Sequence, residues 1–110
     1  MDVKRGDLVA VSLPGDYGKP RPALVVRSDA FADHPSVTVL PLTGELIGAP
    51  LLRVRLEPDA SNGLFRRSDV MVDKATTLPK SKVGAAIGVL GRDIMAELDR
   101  RLALFLGIAK

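Results

Sequence analysis

Residues 7–27, DLVAVSLPGDYGKPRPALVVR, decide the architecture of this chain. Asp7–Leu13 (DLVAVSL) alternates polar and apolar positions with β-branched content, the pattern of a strand with one face on a core. Pro14-Gly15-Asp16-Tyr17-Gly18 breaks that strand with turn-forming residues. Pro22–Arg27 (PALVVR) then runs continuously apolar, as a strand buried on both faces does. Two such strands joined by a short loop predict an antiparallel hairpin. At the entrance of the second strand Arg21 is set between Pro20 and Pro22. Each proline biases the residue before it toward extended geometry, so the backbone around this guanidinium is stiff before any ligand arrives.

Outward from the hairpin, Val37–Leu42 (VTVLPL) resumes strand character, with Pro41 acceptable at an edge, bulge or strand end and Thr43 at the exit. Leu51–Leu56 (LLRVRL) alternates, which puts Arg53 and Arg55 together on a polar, solvated face. Residues 57–63 (EPDASNG) have loop chemistry. Asp69–Asp73 (DVMVD), Ala75–Leu78 and Val83–Leu90 read as further strands. Arg92–Phe105 carries Ile94, Met95, Leu98, Leu102 and Phe105 at helical spacing, an apolar stripe expected to pack on the sheet. Asp93 suits the positive end of that helix, and Arg100 and Arg101 lie toward the other. The expected fold class is α+β, mainly β: one domain over residues 1–110, a small, strongly bent antiparallel sheet or partly open barrel capped by a C-terminal helix.

Composition narrows the chemistry. The 110 residues are 46% hydrophobic with a mean hydropathy of +0.17, enough for one core. Cysteine is absent and histidine occurs once, which removes disulfides and thiolate metal sites and leaves little for other transition metals. His34 sits in the turn-like Asp33-His34-Pro35, where a solvated histidine is the simpler reading. No signal-peptide pattern and no apolar run of membrane-spanning length is visible, so a cytoplasmic protein without a membrane partner is expected. Sixteen Lys and Arg against thirteen Asp and Glu give a net charge of +3, a lean toward polyanionic partners. Aromatics make up only 4% of the chain, so no array of stacking rings is evident. A dinucleotide fingerprint, a P-loop and a serine-hydrolase elbow are all missing.

In order along the chain, Lys4–Val11 (KRGDLVAV), a glycine-containing loop, Arg21–Val26 (RPALVV), Pro41-Leu42-Thr43, Asp69–Asp73 and Thr76-Thr77-Leu78 resemble the MazF/PemK family of toxin endoribonucleases. The resemblance implies an SH3-like barrel with a C-terminal helix. It also implies a homodimer that cuts single-stranded RNA, usually messenger RNA, in a sequence-selective way without metal or cofactor, and that is restrained by a cognate antitoxin. The family's arginine before proline falls on Arg21, its strand-end threonine on Thr43, and the aspartate of the PemK-like branch on Asp73.

Those residue types suit the reaction. Cleavage without a metal requires activation of the ribose 2′-hydroxyl, neutralisation of the phosphorane and protonation of the leaving 5′-oxygen. Arg21 offers a fork of donors for the phosphorane, with the proton donation left open. Thr43 suits a hydrogen bond to a phosphate oxygen, and Asp73 either accepts the 2′-hydroxyl proton or orients Arg21 or a base edge. The internal nucleophile implies 2′,3′-cyclic phosphate and 5′-hydroxyl ends. Lys19, Arg66, Arg67 and Lys74 are candidate phosphate contacts and Tyr17 a candidate stacking residue. Each has an ordinary alternative: a salt bridge for Arg21, a turn cap for Thr43, pairing with Lys74 or Arg27 for Asp73, solvation for the others, packing for Tyr17. Two features depart from the family pattern, the short loop 14–20 and Met71 where the PemK-like branch carries arginine. The chain also resembles the CcdB gyrase poisons at Val39–Leu42 and Leu104–Ile108, but Leu106 replaces their tryptophan. A gyrase poison, or an inactive member that binds only RNA or antitoxin, is the alternative.

Overall fold

The computed structural model describes residues 2–15, 19–48 and 51–109. Strands β1 (Asp7–Ser12) and β2 (Pro20–Val25) form the predicted hairpin, with Leu8 opposite Leu24 and Val11 opposite Arg21. β3 (Ser36–Thr43) pairs with β2, and β4 (Arg53–Leu56), β5 (Ser68–Met71), β6 (Thr76–Pro79), β7 (Val83–Val89) and helix α1 (Arg92–Phe105) follow. The path across the seven-stranded sheet is β4-β5-β3-β2-β1-β7, with β6 also on β3. It is entirely antiparallel and does not close: β4 and β7 are the two ends of the path among the described residues.

The bend comes from β3. Its first half, Ser36–Val39, pairs with β6, and its last residues, Leu42 and Thr43, pair with β5. A short 3-10 turn at Val72–Lys74 lets the chain leave β5 and return as β6. Asp73, expected at a strand end, therefore lies inside this turn, because β5 ends at Met71.

Side-chain alternation gives the sheet two apolar faces. Leu8, Leu24, Leu40, Leu42, Val54, Leu56 and Val70 form one core with Leu98 of α1. Val9, Val11, Ala23, Val25, Val37, Val39 and Leu78 form the other. β2 is thus buried on both sides, as its unbroken apolar run implied. Of the expected helix stripe, Leu98 is buried and Met95 and Leu102 pack on the core, whereas Ile94 and Phe105 stay exposed. The cause is reach: one sheet face under a 14-residue helix covers only a narrow stripe of it. Arg5 ties the first loop to α1, donating through Nε to the Val26 carbonyl at 2.9 Å and through Nη1 to Asp99 at 3.1 Å. Gly107, at φ +77°, ends the helix with the Leu106 N–H donating to the Leu102 carbonyl. No described helix is long and apolar enough to cross a membrane.

Candidate active site

The sheet register itself assembles the site. Ala23 pairs with Pro41, Leu24 with Leu40 and Val25 with Val39; the recorded ladder ends there, with Arg21 two residues before Ala23 on β2 and Thr43 two residues after Pro41 on β3. Alternation along each strand puts Arg21 on the face of Ala23 and Val25, and Thr43 on the face of Pro41 and Val39, their cross-strand partners. Polar groups begin where that apolar row ends. Both residues line a cavity of about 1060 Å³, together with Pro20, Pro22, Glu45, Phe65, Arg66 and Met71 among others.

Thr43 is held by the turn that follows it. The Glu45 backbone N–H donates to Thr43 Oγ1 at 3.1 Å, so the hydroxyl's own proton can turn toward a ligand. Gly44 makes room beside it: a Cβ there would stand 3.1 Å from Arg66 Cζ, so the Arg66 guanidinium lies against the backbone just after Thr43. Arg21, Arg66 and the Thr43 hydroxyl form a donor set suited to an anion. Glu45 is the one carboxylate among the described lining residues.

Phe65 and Arg66 are presented by a loop that is locked on itself. Asp59 Oδ1 accepts from the Ser61 and Asn62 backbone N–H groups at 2.8 and 2.7 Å. Buried Asn62 accepts from the Asp59 and Leu64 N–H groups and donates to the Glu57 carbonyl. The loop is also clamped to the sheet, with the Val89 N–H donating to the Ser61 carbonyl at 2.9 Å. Contact between the two backbones is close enough to require glycine on both sides. A Cβ on Gly63 would meet the Ile87 carbonyl oxygen at 2.1 Å, and one on Gly88 the Asn62 oxygen at 2.2 Å.

Asp73 is not among the described cavity residues. Its Oδ1 lies 3.0 Å from Arg53 Nη1, and both side chains are largely buried, at 19% and 12% exposure. Arg53 is therefore not the solvated residue that strand alternation suggested. Arg55 is half exposed but holds Asp69 through two hydrogen bonds of 3.0 and 3.3 Å, the strongest cause of its raised guanidinium pKa. Asp69, buried, pairs across the sheet with both Thr43 and Arg55. Met71 lines the cavity and is paired with Arg53, so the position that carries arginine in the PemK-like branch has a cation on the neighbouring strand.

The other expected contacts scatter. Lys19 is exposed just before β2, and Lys74 is exposed in the 3-10 turn. Arg67 points its Nε to Glu57 at 2.8 Å on the surface. Tyr17 lies outside the described residues. His34 is exposed, its Nδ1 accepting from the Ser36 N–H at 3.2 Å. Sequence reading missed Glu45 and Phe65. The signal for Glu45 was its place two residues after Thr43; for Phe65 it was an aromatic residue directly before the Arg66-Arg67 pair in the NGLFRR stretch. Among the described residues no cluster of three or more His, Cys, Asp or Glu could hold a metal ion.

A family model described as PemK-like, MazF-like toxin of type II toxin-antitoxin system matches residues 4–106. The chain belongs to this toxin family. It is 44% identical over 108 residues to a probable endoribonuclease MazF of Mycolicibacterium smegmatis, covering 97% of this chain and 99% of that one. The fold is similar to Mycobacterium tuberculosis toxin MazF-mt6, with a TM-score of 0.80, 26% identity and coverage of 94% and 99% of the two chains. It is equally similar, at TM-score 0.80 and 26% identity over 98% of each chain, to a mycobacterial endoribonuclease solved in complex with its cognate antitoxin. MazE-MazF from Deinococcus radiodurans gives a TM-score of 0.80 at 25% identity over 99% of both. The PemK-like, MazF-like sheet is thus present over nearly the whole chain.

Proposed function

We propose that this toxin is a metal-independent endoribonuclease that cleaves single-stranded RNA, messenger RNA above all, in the cavity between β2, β3 and the loop before β5. The observation that carries the reading is that Arg21 and Thr43 line one cavity, beside a second cation, Arg66. The family and the 44%-identical endoribonuclease support it.

In this mechanism the scissile phosphate sits on Arg21, with the Thr43 hydroxyl donating to a non-bridging oxygen. A base removes the 2′-hydroxyl proton, the 2′-oxygen bonds to phosphorus, and the bond to the 5′-oxygen breaks as that oxygen takes up a proton. The products are a 2′,3′-cyclic phosphate and a 5′-hydroxyl. Arg21 and Arg66 balance the charge that builds on the phosphorane, where preorganised donors act most strongly. Glu45 is the carboxylate placed to serve as base, and Asp73, held by Arg53, acts through position.

The toxin works as a cytoplasmic homodimer, for which the unused apolar side chains Ile94, Phe105 and Ile108 supply covering surface. Its antitoxin is an acidic, largely disordered segment that competes with RNA for the same cations, in keeping with the antitoxin complex of the mycobacterial relative. The test is incubation of the purified protein with a long single-stranded RNA in EDTA. Discrete cuts, lost in Arg21→Ala, are expected; intact RNA would overturn the reading, and trapped gyrase–DNA complexes would favour the gyrase poison.

A further inference from the structure

We propose that Phe65 is a stacking platform for a nucleobase next to the scissile phosphate, and that with Arg66 it sets which base this toxin prefers there. The inference deepens the endoribonuclease reading and rests on it. Phe65 is fully exposed, at 103% relative accessibility, although it lines the same cavity as Arg21, Thr43 and Arg66. Exposed apolar side chains are common on this surface, Phe31, Leu51 and Ile108 among them, and need no ligand by themselves; Phe65 is the most exposed of the large ones and stands at the cavity that holds two arginines and a hydroxyl.

The loop around it is built for presentation. Asp59 and Asn62 tie the loop to itself, the Ser61 carbonyl ties it to β7, and Gly63 lies against Ile87 and Gly88 against Asn62 too closely for a side chain at either position. Such a mount leaves little conformational freedom to lose when the ring meets its ligand. A base is the ligand the geometry favours. An exposed flat face suits stacking, which every base can provide, whereas an anchor for a peptide side chain is ordinarily a recessed pocket. The Arg66 guanidinium beside the ring adds a cation for the attached phosphate or a donor for a base edge. With the phosphate on Arg21, an adjoining nucleotide falls within the same cavity.

The experiment compares wild type, Phe65→Ala and Phe65→Trp. Binding is measured with an RNA carrying a 2′-deoxy residue at the mapped cut position, cleavage is followed on a long single-stranded RNA, and a glutamate-rich peptide is titrated separately. Phe65→Ala is expected to weaken RNA binding and raise KM about tenfold or more, the scale of one lost stacking contact. It should leave kcat nearly unchanged, broaden the base preference beside the cut, and melt with wild type, since the ring is in solvent. Phe65→Trp is expected to restore affinity. Unchanged RNA affinity and cut pattern in Phe65→Ala overturns the proposal, as does a loss confined to the acidic peptide. Failure of wild type itself to cut RNA is a different result and counts against the endoribonuclease reading.

Discussion

Arg53 Nη1 stands 3.0 Å from Asp73 Oδ1, yet neither atom has an aligned hydrogen-bond partner, and both are shielded from solvent. The pair is held by charge, and each member is costly to leave alone. Asp73→Ala is therefore expected to lower stability by about 1–3 kcal/mol, the cost of stranding a largely buried cation. Adding Arg53→Leu should recover part of that loss. Urea unfolding of both single variants and the double variant measures it. Additive losses would mean the two side chains do not interact.

In the proposed mechanism Glu45 serves as the base, since it lines the cavity while Asp73 is not among the described lining residues. Glu45→Gln should lower kcat by about 10²–10⁴-fold with KM little changed, the range for losing a positioned base. Asp73→Asn should lose much less. The reverse order in single-turnover cleavage would return the base assignment to Asp73.

Gly88 lies outside the described cavity lining, but a methyl group there would collide with the Asn62 backbone oxygen at 2.2 Å. Gly88→Ala should push the 57–66 loop off β7, with about 1–3 kcal/mol less stability, as overpacking costs. RNA affinity should fall with it, since Phe65 and Arg66 travel on that loop. Normal RNA affinity in a destabilised Gly88→Ala protein would show that the loop does not need its clamp.

On α1, hydrogen bonds from Arg100, then Arg101, hold the Glu97 carboxyl well below its ordinary value of 4.5, at about 2. A depressed carboxylate stabilises the folded state above its unfolded pKa and loses that contribution as pH falls through the folded value. The window is thus roughly pH 4.5 down to 2. The pair is exposed and its effect small and salt-sensitive. Thermal midpoints of wild type and Glu97→Gln should converge across this window on acidification. A constant gap between them would rule the ion pair out as a source of the stability difference.

The hairpin, the order of strands and the helix were legible because each rests on local signals: alternation, turn residues and helical spacing. Arg21 and Thr43 were singled out by family pattern, and the structure puts both in the lining of one cavity. What escaped the sequence depends on distant partners. Arg53 reads as solvated within LLRVRL, and only the 3-10 turn after Met71 brings Asp73 back to it. Phe65 reads as one aromatic residue in a loop; its place at the cavity depends on the close approach of Gly63 and Gly88 that docks that loop on β7. The open ends of the sheet at β4 and β7 are likewise a matter of how far β3 bends.

The central claim is that Arg21 and Thr43 act as one phosphate site. A double-mutant cycle on kcat/KM for RNA cleavage, using Arg21→Ala, Thr43→Val and the pair, tests it most directly. The account predicts a large loss in each single variant and a double variant scarcely worse than Arg21→Ala, as for residues that act as a unit. Strictly additive losses, or full cleavage by Arg21→Ala, would contradict it.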